Sequence, residues 1–232
     1  MKVFRKELKF EENINNIPAI ESRLSGILTR DLNSNSDGYY KVRSLYFDSY
    51  NDTSANAVQV GSTKKFKYRI RYYDSIDTIH LERKDKYNGL CKKQSCKISI
   101  DEYNKILNND VYDLMYCTDR PLLAMFAKDI VNKHFRPKVI IDYDRLAYIN
   151  PILNVRVTAD VNICASKEFD KFLSGEYINI PIQDKDLFIL EVKYNYILPS
   201  YIKKIVTQTN ILRQSFSKYY LGRATLQKEV NN

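Results

Sequence analysis

Few of the residues that anchor familiar catalytic chemistry are abundant in this chain. Among its 232 residues only six are glycine, and neither a P-loop nor a G-x-G-x-x-G turn occurs. That excludes the usual glycine-rich phosphate cradle at a helix start. His80 and His134 are the only histidines, too few for a zinc cluster. No histidine lies in the motif around Ser217, which speaks against a serine nucleophile. The four cysteines, Cys91, Cys96, Cys117 and Cys164, show no metal-ligand spacing and read as reduced thiols. No apolar run reaches the roughly 18–20 residues of a membrane span. The opening MKVFRKELKF is charged and alternating, a strand rather than a signal peptide. A soluble, cytoplasmic protein is expected.

What is present is positive charge. Thirty-seven Lys and Arg against 28 Asp and Glu give a net charge of +9 and a pI near 9.2. Such a balance suits polyanionic partners. Its arrangement is more telling than its size. In KFKYRIRYYD (65–74), Lys65, Lys67, Arg69 and Arg71 alternate with Phe66, Tyr68, Ile70 and Tyr72. In a strand this period of two puts every cation on one face, with neighbours roughly 6.6–6.8 Å apart.

The pattern recurs. His80, Glu82, Lys84 and Lys86 share one face of a strand, as do Arg5, Glu7 and Lys9, and Glu191 and Lys193. Asn154, Arg156, Thr158, Asp160 and Asn162 alternate with Val155, Val157, Ala159, Val161 and Ile163. One such strand is ordinary, because antiparallel sheets often wet one face. Five that concentrate Arg and Lys point instead to charged faces converging inside a barrel, with apolar faces under helices. Eight strands are expected (2–10, 39–48, 64–73, 77–86, 92–99, 137–148, 153–163 and 187–195). Helices are expected at 14–30, 101–109 (N-capped by Asp101), 121–133, 167–173 and, in two pieces, 199–228. The fold class is α+β: an antiparallel eight-stranded β-barrel with flanking helices, in one domain over 1–228 with a tail at 229–232. The tyrosines are expected to pack outward under the helices.

FRKELKF, SLYFDS, KYRIRYY, HLERKDK, RPKVIIDYDR, VRVTADVNI, LEVKY and FSKYYLG, in this order, resemble the VTC domain, the polyphosphate polymerase branch of the triphosphate tunnel metalloenzymes. Arg5 stands where other branches open with a glutamate, which favours the VTC branch. The resemblance implies an ATP-binding transferase that moves the γ-phosphoryl group of ATP onto polyphosphate with Mn2+ or Mg2+. It implies catalytic cations at Lys9, Arg69, Arg71, Lys84, Arg156 and Lys218. Further phosphate contacts would come from Lys67, Lys93, Arg145 and Lys193. Glu191 would be the principal metal ligand, with Glu7, Glu82 and Asp160 as further carboxylates. Where eukaryotic members place an arginine after the central helices this chain has Ile140, leaving Arg136 or Arg145 to substitute. Those members are also fused to membrane segments, so a separate membrane partner is conceivable for this chain, and no nucleic acid is expected. Two alternatives stay open: a tunnel hydrolase of triphosphate or nucleoside triphosphate, and a non-catalytic polyphosphate or nucleotide sensor.

Overall fold

The computed structural model describes residues 5–206 and 216–230. Its strands are β1 (Lys6–Asn13), β2 (Thr29–Arg30), β3 (Tyr39–Asp48), β4 (Lys64–Tyr73), β5 (Ser75–Tyr87), β6 (Leu90–Ile98), β7 (Arg136–Asn150), β8 (Val155–Ser166), β9 (Ile180–Pro181) and β10 (Leu187–Tyr194). Its α-helices are α1 (Ile17–Ser25), α2 (Thr53–Gln59), α3 (Ile100–Leu107), α4 (Pro121–Lys133), α5 (Ser200–Val206) and α6 (Lys218–Val230). Residues 2–4 of the first expected strand, 207–215 of the expected C-terminal helices and 231–232 of the expected tail lie outside the described residues. α6 continues through Val230, into the stretch read as a tail. Residues 167–173 form only a 3-10 turn at Phe169–Lys171.

The long strands pair antiparallel in the order β1-β10-β8-β7-β3-β4-β5-β6. The edge strands meet at one bridge, where Arg5 and Cys91 exchange backbone hydrogen bonds of 3.3 and 3.2 Å. The eight long strands and their directions are as expected, and the two-residue β2 and β9 were not; among the described residues, closure rests on a single bridge and not on a ladder. The sheet is a curled, incompletely closed tunnel.

Both faces of the sheet are covered. On the outside, Leu45, Tyr68, Ile70, Tyr72 and Leu81 pack under α3 and α4. Leu146, Val157, Ala159, Leu190 and Val192 pack under α1 and α5. The inner face divides. One part carries the cations; the other carries Val139, Ile141, Ile163, Ala165 and Ile189, and α6 lies on it through Tyr219 and Leu226, with Phe216 just before the helix. Ile163 was expected outside with Val161. The register shifts beside Asp142, and Asn162 takes φ +53°, so the alternation inverts and Ile163 turns inward.

Local chemistry sets the helix ends. The N-cap of α3 is Ser99, not Asp101: its hydroxyl accepts from the Glu102 N–H, and Glu102 returns a bond to the Ser99 N–H. α2 was not expected, since TSANAVQ has no apolar period. It is nucleated by the buried Asp48 carboxylate, which accepts the N–H groups of Ser49, Ser54 and Ala55 at 2.9–3.0 Å.

Gly222 lets α6 approach the sheet. A Cβ there would overlap Ile141 Cδ1 and press on Ala165 Cβ at 3.2 Å and Val139 Cγ2 at 3.3 Å. Gly222→Val should therefore destabilise the fold by about 1–3 kcal/mol in urea unfolding. Ile141→Ala in the same chain should recover part of the loss, and a valine tolerated without cost would contradict this close packing.

Candidate functional site

Register brings the charged rows together. Across β4 and β5, Lys65 faces Lys86, Lys67 faces Lys84 and Arg69 faces Glu82. Across β1 and β10, Lys9 faces Glu191 and Glu7 faces Lys193. These faces enclose a cavity of about 450 Å3, within the size range of ligand pockets. Its lining includes ten Lys or Arg side chains against two carboxylates, Glu7 and Glu191.

The cations divide by what they hold. Arg69 gives Nε to Glu82 at 2.7 Å and Nη1 to the Tyr46 hydroxyl at 3.1 Å. Lys84 donates to both Glu7 oxygens at 2.7 and 2.8 Å. Arg145 forks onto Asp160 at 2.6 and 2.8 Å, and Lys218 reaches the same carboxylate at 2.6 Å. Lys193 meets Glu191 at 2.8 Å, with Lys9 3.6 Å from its other oxygen. Arg71 and Lys67 differ: their hydrogen-bond partners are neutral. Arg71, 5% exposed, donates to Ser44 Oγ at 2.8 Å and to the Tyr143 hydroxyl at 3.1 Å. Lys67 donates to Ser217 Oγ at 2.8 Å.

Four expected residues stand apart from the cavity lining, among them Asp160, which sits behind Arg145 and Lys218. Arg156 turns to Asp31 at 2.6 Å and to the Tyr40 hydroxyl at 2.7 Å. Lys93, more than half exposed, and the buried Glu82 pair with each other at 2.7 Å, behind Arg69. Of the two candidates to replace the arginine at Ile140, Arg145 lines the cavity, whereas Arg136 donates to the carbonyls of Ile130 and Phe135. Tyr46, Tyr143 and Tyr219 also line it. Outward packing describes Tyr68 and Tyr72 but not these three. The inward positions of Tyr46 and Tyr143 were readable in SLYFDS and DYDR by counting along the strand period, whereas Tyr219 lies on α6, which no strand register reaches.

Charge state follows from these contacts. Burial opposes ionisation of Glu191, but Lys193, Lys9, Lys84 and Arg145 hold it well below the usual carboxylate range. Burial also opposes Glu7, and Lys84 brings it down. Burial pulls the Lys67 ammonium down to about 7. Burial would raise the Tyr46 phenol, yet Arg69, Arg71 and Lys67 bring it to about 7. The described residues include no group of three or more His, Cys, Asp or Glu able to hold a metal. Two ionised carboxylates, Glu191 and Glu7, fit a hard divalent cation that takes its remaining ligands from phosphate and water, as Mg2+ commonly does.

An antiparallel eight-stranded tunnel with a cationic lumen defines a triphosphate tunnel protein. The chain belongs to the VTC domain family, which it matches over residues 4–227. Its fold is similar to that of HpAC1 from Hippeastrum, a candidate adenylyl cyclase described with a dominant triphosphatase activity (12% identity, 96% of each chain, TM-score 0.55). It is also similar to candidate adenylate cyclases from Vibrio parahaemolyticus (12% identity, 95% and 98% of the chains, TM-score 0.51) and Bacillus halodurans (12%, 94% and 96%, 0.50). At this identity the likeness establishes the fold alone. A comparison with curated proteins gives no match.

Lys67 and Tyr46 generate a pH prediction. Each has a folded value near 7. Raising the pH through that value neutralises the ammonium and ionises the phenol, so both changes remove positive charge from the cavity. Affinity for an inorganic polyanion such as sulfate or tripolyphosphate should fall between pH 6 and 9, and binding near pH 7 should take up protons. Calorimetry in buffers of different ionisation enthalpy measures this directly. An affinity independent of pH, after correction for the ligand's own ionisation, would count against it.

Proposed function

We propose that the chain is an ATP-dependent polyphosphate polymerase, transferring the γ-phosphoryl group of ATP to a phosphate chain and releasing ADP. The observation that carries this reading is the set of ten cations around one cavity, of which Arg71 and Lys67 hold only neutral partners. Phosphoryl transfer asks little covalent help of a protein; positioning and charge neutralisation supply most of the catalysis. Arg71 offers a fixed fork for phosphate oxygens and Lys67 a mobile point charge. Arg69 and Arg145, oriented by Glu82 and Asp160, flank the same space as prepositioned donors. In this reading Glu191 and Glu7 would hold Mn2+ or Mg2+, which would offset charge on the bridging oxygens. The proposal includes a cytoplasmic setting, with room for a separate membrane partner. Among the described residues, no helix is long and apolar enough to cross a membrane.

A second reading, hydrolysis of triphosphate, is favoured by one observation: the fold-similar HpAC1 is described with a dominant triphosphatase activity. The two differ in whether a phosphate chain or water accepts the phosphoryl group. Incubation with ATP and Mn2+, followed by a polyphosphate-stained gel and an assay of free phosphate, separates them. Polymerase activity yields ADP and a ladder with little early free phosphate. Stoichiometric phosphate without a ladder establishes hydrolysis instead, and binding without turnover leaves a sensor. Where turnover is found, Arg71→Ala should lower it about 10²–10³-fold, the loss expected for one preorganised donor. Near-parental turnover would remove Arg71 from the site.

A further inference from the structure

At the rim of the cavity two like charges stand directly opposite each other. Lys65 on β4 and Lys86 on β5 are Cα partners on the inner face, and both line the cavity. Like charges so placed on paired strands are destabilising. One row deeper, Lys67 faces Lys84, but there Glu7 and Ser217 supply acceptors. At the rim nothing does: neither the Lys65 nor the Lys86 ammonium has a hydrogen-bond or ion-pair partner among the described residues. The Lys65 ammonium is pulled below its ordinary value by burial and then by Lys86. The two rows lie roughly 6.6–6.8 Å apart along the strands, a span that one continuous anion can bridge. Lysines suit this task because their charge sits on a mobile stem and follows a flexible chain of oxygens.

We propose that Lys65 and Lys86 form an outer anion subsite that holds further phosphate groups of a linear polyphosphate, beyond those held in the deep cavity. The proposal rests on the polyphosphate reading of that cavity. It makes the site sensitive to chain length: a tripolyphosphate is held by the deep cations, whereas a longer chain also occupies the rim.

The test compares tripolyphosphate with long-chain polyphosphate, binding each to the full chain and to a variant carrying Lys65→Ala and Lys86→Ala. Long-chain affinity should fall about tenfold or more, and tripolyphosphate affinity less than about threefold. A second variant with Lys65→Arg and Lys86→Arg should retain the parental length preference. Without ligand, Lys86→Gln should raise the melting temperature, because it relieves the facing charges. Equal losses for both ligands, or no loss for either, would overturn the subsite. Parental binding of tripolyphosphate without any preference for length would overturn it alone. Failure of the parent to bind either ligand would overturn the polyphosphate reading and the subsite together.

Discussion

Mutual repulsion among cations on one inner face is the constraint that the rest of this structure answers. Burying an uncompensated charge costs several kcal/mol, and the chain meets that cost in distinct ways. Carboxylates hold Arg69 and Arg145 from the paired strand, Lys193 from its own strand, Lys84 from β1, and Lys218 of α6 from β8. Neutral oxygens of Ser44, Tyr143 and Ser217 hold Arg71 and Lys67. Lys67 also meets it by titration, its ammonium yielding its proton near neutrality. What remains is offset by apolar packing outside the sheet, where two helix-covered cores occupy the faces that alternate with the charges.

The inner face cannot be charged throughout, and its apolar part explains how the site is assembled from distant segments. Val139, Ile141 and Ala165 receive α6 at Gly222. Tyr219 donates to Asp48, and Arg223 donates to Asp52 at 2.8 Å, tying the helix to the start of α2. With the helix so seated, Ser217 and Lys218 project into the cavity next to Lys67 and Asp160. One helix therefore closes the third core and completes the polar site. The same buried Asp48 both nucleates α2 and anchors α6.

Much of this was legible in the sequence because burial imposes a period. The alternation in KFKYRIRYY placed β4 with its cations inward, and the apolar stripe of 121–133 placed α4. Reading failed where a local event breaks the period. The bulge beside Asp142 and the left-handed Asn162 invert β8, so Ile163 enters the core that α6 covers. α2 was hidden because its stability comes from a carboxylate cap and not from an apolar face. At the site, alternation located the inward positions but not the partners. Arg156 obeys the period, yet its side chain is captured by Asp31, a residue from the loop after β2 that no strand pattern relates to it. Tyr46 and Tyr143 also obey it, but a tyrosine on an inner face looks like core until the arginines around it are known.

The distinction between paired and neutral-partnered cations gives the cavity its chemical logic. A phosphate approaching Arg145 or Lys218 must share them with Asp160, already in hydrogen-bond contact with both, and exchanging one anion for another gains little. Arg71 and Lys67 carry no such competitor, so an entering anion replaces neutral hydroxyl acceptors with anionic oxygens and adds ion-pair attraction to bonds that previously had charge on the donor alone. The paired cations then act chiefly through their field and through the orientation that their carboxylates impose. In the proposed reading the neutral-partnered pair, with the unpartnered Lys65 and Lys86 nearer the rim, supplies the contacts that a ligand can win, and Arg71 and Lys67 put the deeper hold on a polyanion on β4. That is the strand whose alternation exposed the charged face in the sequence.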